Sequence, residues 1–276
     1  MDFKLVRRNN GTIVWSEDQL KFIISEYKKG TSLSALGRDF NVHYSTIRQL
    51  LRRNGVTTLG NKQGYPRNEH YFSSINQPEK AYWLGFLYAD GCIHKNSNEI
   101  SLTLKDGEHL EKFKQAIGAV NHKVGSYIDN RWESKPRMYT FSIKDRKLQT
   151  DLIAWGCVPD KSLTLNSFPN IPRDFVSHFL RGYFDGDGSI HWLKGTNNFR
   201  LSFVGTKEFL LEIKKELNLN VTISQNSGNK SFYLQIAGRQ QVPRVLDYLY
   251  KDSEESTRLN RKYDLYQECL LWAHRH

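Results

Sequence analysis

The chain has 276 residues, a net charge of +11 at pH 7 and a pI near 9.4. Its 38% hydrophobic and 13% aromatic content is enough for a packed core and excludes global disorder. The excess of positive charge favours a polyanionic partner. Residues 1–72 carry 12 Lys/Arg against 6 Asp/Glu, and the remainder carries 28 against 23. This uneven charge predicts two separate contacts with nucleic acid, with a solvated basic surface as the alternative.

The cysteines and the hydropathy of the chain indicate the cellular compartment in which we expect the protein. Cys92, Cys157 and Cys269 are far apart and show no CxxC spacing, which argues against a disulfide framework or a zinc finger. No apolar run approaches the ~20 residues of a membrane span, and the N-terminus lacks the apolar segment of a signal peptide. We therefore expect no membrane partner and an intracellular, cytoplasmic protein, nucleoid-associated or phage-encoded in a bacterial host.

Three short helices are predicted at the start of the chain. Ser16 and Gln19 form a capping box at the start of the first helix, which Gly30 ends; the second fits 32–40 and the third 43–53. This order is typical of a helix-turn-helix DNA-binding domain over residues 1–55, with a small helical bundle that makes no DNA contacts as the alternative. The third helix is then the recognition helix. Its predicted DNA contacts are Tyr44, Ser45, Thr46, Arg48, Arg52 and Arg53.

Residues 56–76 are predicted to be a linker, because they are rich in Gly, Asn, Gln and Thr and contain Pro66. Beyond them one pattern occurs twice: the nine residues of 83–91 (WLGFLYADG) return at 180–188 (LRGYFDGDG). Each copy is an apolar run of helix length that closes on Asp-Gly. One such copy alone is typical of an ordinary helix end with glycine in the left-handed cap. Two copies, 97 residues apart and each followed by similar sequence, favour a shared role.

The elements after each copy repeat as well. Ile100, Leu102 and Leu104 alternate with polar residues as a half-buried strand does, and Phe199, Leu201 and Phe203 do so in the second copy. An amphipathic helix, a second strand pair and a last helix follow in both. The order αββαββα therefore occurs twice, in halves at 77–165 and 166–276. The predicted fold class is α+β, a pseudo-twofold duplicated body preceded by a small all-α domain.

The two Asp-Gly helices predict a metal site. Small residues stand four apart in each copy, Gly85 with Ala89 and Gly182 with Gly186, so two such helices can pack closely face to face. Asp90 and Asp187 would then meet at one end of the pair. A carboxylate at the negative end of a helix dipole, beside a second carboxylate, is stabilised by a divalent cation.

The strands carry polar residues on the face opposite their apolar one. In a basic protein such faces can lie along a duplex and contact base edges in the major groove, although a solvated sheet face would look the same. The predicted DNA contacts on this body are Ser101, Thr103, Lys105, Thr140, Lys144, Arg200, Ser202, Tyr233 and Gln235.

The duplicated Asp-Gly helices and the repeated αββαββα order resemble the LAGLIDADG homing endonucleases in their single-chain, two-motif form. The resemblance covers residues 77–276, and its most specific segment is 179–190; the first copy departs from the family pattern at Trp83 and Tyr88. It implies a DNA-binding sheet saddle and Mg²⁺-dependent double-strand cleavage at a long, tolerant site in intron homing. Some members of this family carry an added DNA-binding domain, which the predicted helix-turn-helix resembles.

The resemblance also implies roles for individual residues. Asp90 and Asp187 would hold Mg²⁺, or Mn²⁺ as a substitute, with the backbone carbonyls of Gly91 and Gly188 as further ligands. Basic residues would stabilise developing charge, and the positions that match are Lys161 and Lys262, the latter with Arg261 beside it. Surface lysines with no catalytic part are the alternative at these positions.

Two other functions fit the same pattern. A DNA-binding transcriptional regulator can use this fold with the nuclease silent, and an RNA-splicing maturase would bind group I intron RNA through a similar basic surface. The aspartate at both motif ends favours the enzyme, since a regulator has no reason to hold two repelling carboxylates together. We expect a monomer that binds double-stranded DNA.

Overall fold

The computed structural model describes residues 6–7, 13–56, 58, 66–159, 165–225 and 231–274. The chain divides into two compact units. The head unit comprises Met1–Asn68 together with Gly118–Lys123, and the body unit comprises Glu69–Ile117 together with Val124–His276. No helix in the described part of the chain is long and apolar enough to cross a membrane.

The described residues of the head unit form two very short strands and three helices. These are β1 (Val6–Arg7), β2 (Ile13–Val14), α1 (Glu17–Lys28), α2 (Leu33–Asp39) and α3 (Tyr44–Arg53). The capping box forms as predicted: Gln19 N donates to Ser16 Oγ (3.2 Å) and Ser16 N donates to Gln19 Oε1 (2.9 Å). Apolar residues from all three helices pack together in a small core. Its buried members are Ile23, Leu36, Phe40, Ile47 and Leu51.

The segment predicted as a linker at 56–76 divides in two. Residues 57 and 59–65 lie outside the described residues. From Glu69 the chain belongs to the body unit, and Tyr71, Phe72 and Ile75 are buried there. The cause is their apolar area, whose burial stabilises the packed state by about 25 cal/mol per Å². This stretch is therefore a packed lead-in to the first body helix.

The body unit contains the order αββαββα twice, which confirms the predicted fold class. The first half comprises α4 (Pro78–Asp90), β3 (Cys92–Ile93), β4 (Glu99–Leu104), α5 (Gly107–Ala116), β5 (Gly125–Ile128), β6 (Arg137–Lys144) and α6 (Arg146–Ala154). The second half comprises α7 (Val176–Asp187), β7 (Ser189–Leu193), β8 (Asn198–Gly205), α8 (Lys207–Glu216), β9 (Ile223–Gln225), β10 (Phe232–Ala237) and α9 (Gln241–Tyr250). A final helix, α10 (Asn260–His274), follows the second half.

Each half builds one antiparallel four-stranded sheet. The strand orders are β3-β4-β6-β5 and β7-β8-β10-β9, so the two halves have the same topology. The alternation read from the sequence holds in both: Leu102 and Leu201 are buried on one face. Thr103 pairs with Thr140 on the opposite face, and Ser202 pairs with Gln235. The register therefore gathers the polar side chains on the face away from the core.

Helices α4 and α7 pack directly against each other along a seam with no room for a side chain at its crossing points. A Cβ built on Gly85 would lie 1.9 Å from the backbone oxygen of Phe179, and one on Gly182 would lie 2.0 Å from that of Tyr82. Only glycine permits this approach. The seam thus brings the C-terminal ends of both helices to the same side of the body.

Candidate active site at the seam

Asp90 and Asp187 are the last residues of α4 and α7, and in both cases the chain turns directly into a strand. Gly91 (φ −69°, ψ 139°) and Gly188 (φ −84°, ψ 161°) have extended backbones, so neither is a left-handed cap. Glycine is required at these positions because a side chain would not fit: a Cβ on Gly91 would lie 2.6 Å from Leu87 O. The tight turn leaves each aspartate at the very end of its helix.

Asp90 lies close to the end of α7 across the seam. A Cβ built on Gly186, the residue before Asp187, would lie 3.2 Å from Asp90 Oδ2. Both carboxylates also act on the same neighbour: burial, and then the charges of Asp187 and Asp90, raise the pKa of Tyr183. Asp90 is half-buried and Asp187 is exposed. Both aspartates therefore lie at the same end of the helix pair, within electrostatic reach of Tyr183.

The donor set at this end consists of oxygen atoms. Within the described residues, no group of three or more His, Cys, Asp or Glu side chains is arranged to hold a metal ion. The protein therefore offers two carboxylates with nearby backbone carbonyls, and further ligands would have to come from water or substrate. Such hard oxygen donors fit Mg²⁺ better than Zn²⁺.

Lys262 lies beneath this site, and its ammonium group is hydrogen-bonded to backbone carbonyls. Its side chain is 2% exposed, and its ammonium donates to Phe184 O (2.5 Å), Asp185 O (2.8 Å) and Gly188 O (2.6 Å). All three N–H groups are used, so none points at a substrate. In this arrangement the residue neutralises the negative end of α7, and its predicted catalytic contact stays a prediction. The same bonds occupy one lone pair of the Gly188 carbonyl, which was predicted as a metal ligand.

The charge of Lys262 is held in a dry environment. Burial lowers the pKa of its ammonium to about 8, although the carboxylates of Asp185, Asp90 and Asp187 oppose this shift. Lys161, the matching residue of the first half, lies outside the described residues.

Asp185 anchors a buried polar network whose partners the sequence does not indicate. Its carboxylate is 1% exposed and accepts hydrogen bonds from Tyr82 Oη (2.8 Å), Leu259 N (2.8 Å) and Tyr250 Oη. Burial raises the pKa of this carboxyl, and Lys262 and the hydrogen bonds oppose the rise. Tyr82 Oη is also 2.9 Å from His109 Nε2. The network ties α4, α5, α7 and α9 together directly behind the aspartate pair.

The first half differs at the corresponding position. Tyr88 stands where the second half has Asp185, and its hydroxyl donates to Trp155 O. Burial raises the pKa of Tyr88 well above the usual range. The two halves therefore support their seam helices by different bonds.

A cavity of about 180 Å³ opens beside Asp90. Thr103, Lys105 and Met138 line it from the first sheet, and Arg261 lines it from α10. Arg261 Nε donates to Asp106 Oδ2 at 3.1 Å. The sequence does not indicate this ion pair, because its two residues are far apart in the chain. It indicates only that Arg261 is a basic residue next to Lys262.

The predicted DNA contacts of the body lie on the polar faces of the two sheets. In the first sheet Thr103 Oγ1 donates to Thr140 Oγ1 (3.2 Å), and Lys144 Nζ is 3.5 Å from Glu99 Oε2. The register puts Ser101 on the same face, and Lys105 follows the end of β4. In the second sheet the residues sharing the polar face are Arg200, Ser202, Tyr233 and Gln235.

The predicted contacts of the head unit lie on α3, where several are already engaged. The Arg48 guanidinium lies 5.5 Å from the centre of the Tyr44 ring, and Arg52 Nε donates to Thr58 Oγ1 (3.0 Å). Ser45 contacts His43 at the start of the helix. Thr46 is half-buried, and Arg53 is exposed. Whether this helix contacts DNA stays a prediction.

A duplicated αββαββα body whose two seam helices end side by side in aspartate defines a pseudo-twofold, two-motif class of fold. Residues 174–250 match the family model of the LAGLIDADG-like domain. The match lies in the second half of the body, and the family resemblance predicted from the sequence is confirmed over these residues. Among curated proteins, no sequence matches the chain.

Solved structures of LAGLIDADG nucleases are similar to this chain at low identity. Meganuclease I-SmaMI bound to uncleavable DNA with a TTGT central four has 14% identity and a TM-score of 0.49, covering 72% of this chain and 89% of that one. I-SmaMI bound to an uncleaved DNA target in the presence of calcium ions has 13% identity and a TM-score of 0.48, covering 72% and 91%. LAGLIDADG meganuclease I-AabMI bound to uncleaved DNA has 13% identity and a TM-score of 0.47, covering 72% and 90%.

Proposed function

We propose that this chain is a site-specific DNA endonuclease that makes double-strand breaks at a long recognition site, as a homing endonuclease does. The observation that carries the proposal is the approach of Asp90 and the end of α7 across a seam closed by glycine. Holding two carboxylates together at helix C-termini is unfavourable unless a cation or a reaction requires it. The LAGLIDADG-like domain at residues 174–250 supports the same conclusion.

The aspartate pair is the proposed metal site. Asp90 and Asp187, with the backbone carbonyls of Gly91 and Gly188, offer the oxygen ligands that Mg²⁺ prefers, and Mn²⁺ is the expected substitute. When bound, the metal supplies an activated water and neutralises charge on the attacked phosphate. The protein's own part is to fix the two carboxylates at one distance and to exclude water from behind them. The Asp185 network and Lys262 do this, since they lock the end of α7 from the buried side.

The polar sheet faces are the proposed DNA-binding surface of the body. Their side chains are hydroxyls, amides and cations, the groups that contact base edges and phosphates. Lys105 and Arg200 contribute positive charge, in keeping with the net charge of +11. The head unit is proposed to add a second contact through α3, and Lys161 to act near the phosphate. The expected active species is a monomer, since one chain contains both halves.

The test is cleavage of a random-site DNA library. The protein is incubated with the library in Mg²⁺ and, in parallel, in EDTA, and the cut ends are sequenced. We expect breaks at one family of sites in Mg²⁺ and none in EDTA. Asp187→Asn should abolish cutting and retain DNA binding, whereas Asp252→Asn, the matched change at an exposed aspartate on another part of the body, should cut as the wild type does.

Three results would contradict the proposal. Cleavage that survives the chelator would remove the metal from the mechanism. Sequence-specific binding with no cleavage of any DNA in Mg²⁺ or Mn²⁺ would identify a DNA-binding regulator instead. Preferential binding of group I intron RNA in competition with the library would identify a maturase.

A further inference from the structure

The Asp106–Arg261 pair joins the two halves of the body at the cavity beside Asp90. Asp106 immediately precedes α5 in the first half, and Arg261 is the second residue of α10, which follows the second half. The pair is partly exposed, with the Arg261 side chain 58% exposed and that of Asp106 30% exposed. Both residues line the cavity that Asp90 lines.

The backbone before Arg261 is held by α5, the helix that Asp106 precedes. Lys112 on α5 donates to Glu255 O (2.8 Å), Arg258 O (3.3 Å) and Asn260 Oδ1 (3.1 Å). The start of α10 is therefore fixed against α5, and this fixes the backbone position of Arg261. Lys262, one residue further on, points inward and has no donor left for the cavity.

The guanidinium of Arg261 retains donors for a ligand. Nε is its one hydrogen-bonding atom toward any residue that the structure describes, so the four N–H groups of the two terminal nitrogens face the cavity or solvent. A planar guanidinium with its Nε held by a carboxylate is oriented before a ligand arrives. Such a fork binds two oxygens of one phosphate.

We infer that Arg261 grips the DNA phosphate attacked at the Asp90 end of the seam, and that Asp106 is its positioning residue. This inference rests on the proposed endonuclease function and deepens it. The cation of this pocket is then Arg261 rather than its neighbour Lys262.

The duplication makes the consequence specific to one strand. At the point of the first half that matches Arg261 and Lys262, the sequence has Asp160 and Lys161. The residue matching Arg261 thus carries the opposite charge. Removing the guanidinium should therefore weaken cleavage of the strand cut beside Asp90 and leave cleavage of the other strand intact.

The test uses a supercoiled plasmid that carries the site recovered from the library, with the full-length protein. Arg261→Gln should slow conversion to linear DNA by about 100-fold, the effect typical of losing one charge-stabilising donor. The nicked circle should accumulate, with end-labelled duplexes showing the same strand intact each time. The matched control is Arg173→Gln, since Arg173 is an exposed arginine paired with Glu216 elsewhere on the body. It should give linear DNA at the wild-type rate.

A binding measurement separates a phosphate contact from a structural role. In EDTA, Arg261→Gln should make the slope of log affinity against log salt shallower by about 0.9, the value for one phosphate. Asp106→Asn should slow cleavage of the same strand. It should leave the salt dependence of DNA affinity unchanged, because the positive charge of Arg261 remains. Asp106→Glu should restore much of the rate.

Three results would overturn the inference. Arg261→Gln could match Arg173→Gln in both nicking and salt slope, or it could slow both strands equally; either would refute the assignment while the endonuclease function stood. A wild-type protein that cleaves no DNA at all would refute the proposed function and the inference together.

Discussion

Replacing Gly85 with alanine tests the seam on which the site is built. The added Cβ would lie 1.9 Å from Phe179 O, whereas ordinary contacts begin at 3.4 Å, so the two helices must separate by about 1.5 Å. The obstacle is backbone, which cannot rotate aside as a side chain can. Alanine is the better helix former by about 1 kcal/mol, so in the absence of the clash the substitution would stabilise the protein.

The expected net effect follows from the width of the gap. A buried side chain makes 40–60 atom contacts of about 0.1–0.2 kcal/mol each, and a gap of 0.5–1 Å forfeits a quarter to a half of this energy. Separation along the seam thus costs about 3–5 kcal/mol, and the helix propensity offsets about 1 kcal/mol. We expect the free energy of unfolding to fall by about 2–4 kcal/mol.

The assay is urea unfolding of Gly85→Ala beside Gly195→Ala. No atom lies within 4 Å of a Cβ built on Gly195, so the control should stay within about 0.5 kcal/mol of the wild type. DNA cleavage by Gly85→Ala should also fall, by about 100-fold, since a misplacement of 1 Å at a reacting centre has that effect. The close backbone contact at the seam would be refuted if Gly85→Ala had the free energy of unfolding of the wild type and the same dependence of that free energy on urea concentration.

Four further predictions concern single groups and the head unit. Burial lowers the pKa of His109 to about 3, so below pH 6.5 the unfolded chain binds a proton that the folded protein does not; the free energy of unfolding should fall by about 2 kcal/mol from pH 6.5 to 4.5, and His109→Gln should flatten this dependence in urea titrations. Lys262→Met should lower the free energy of unfolding by about 3–5 kcal/mol, because it strips the buried Asp185 and three carbonyls of their cation; unchanged stability with abolished cleavage would support its predicted catalytic contact. Lys161→Met should slow cleavage in single-turnover assays and keep DNA affinity within a few-fold, and an equal fall in both would make it a phosphate-binding residue. Removing residues 1–62 should make the salt slope of DNA affinity shallower by about 0.9 for each phosphate that the head neutralises, and an unchanged slope would mean that the head does not touch DNA.

The sequence predicts those features that depend on spacing within one segment. The repeated small residues at Gly85 and Gly182 imply two closely packed helices, and the alternation through Leu102 and Leu201 implies two half-buried sheets. Both follow from periods of 3.6 and 2 residues, which are visible in any short window. The pairing of Asp90 with the end of α7 follows from the same duplication.

The remainder depends on contacts between distant segments, which no local pattern specifies. Tyr82 reaches Asp185 across 103 residues, and Arg261 reaches Asp106 across 155. The inward direction of Lys262 was missed for the same reason: it is set by the packing of α10 on α9, which the sequence does not display. A lysine beside an arginine looks equally fit for a phosphate until the structure shows which of the two is buried.

The reciprocal glycine contacts of the seam have a consequence for protein engineering. Gly85 faces the backbone of Phe179, and Gly182 faces that of Tyr82, so each half presents its partner with the same shape. The junction is thus nearly self-complementary, like the isologous interface of a symmetric homodimer. Chimeras that exchange one half for another of the same register should assemble, and an excised half should tend to pair with a second copy of itself.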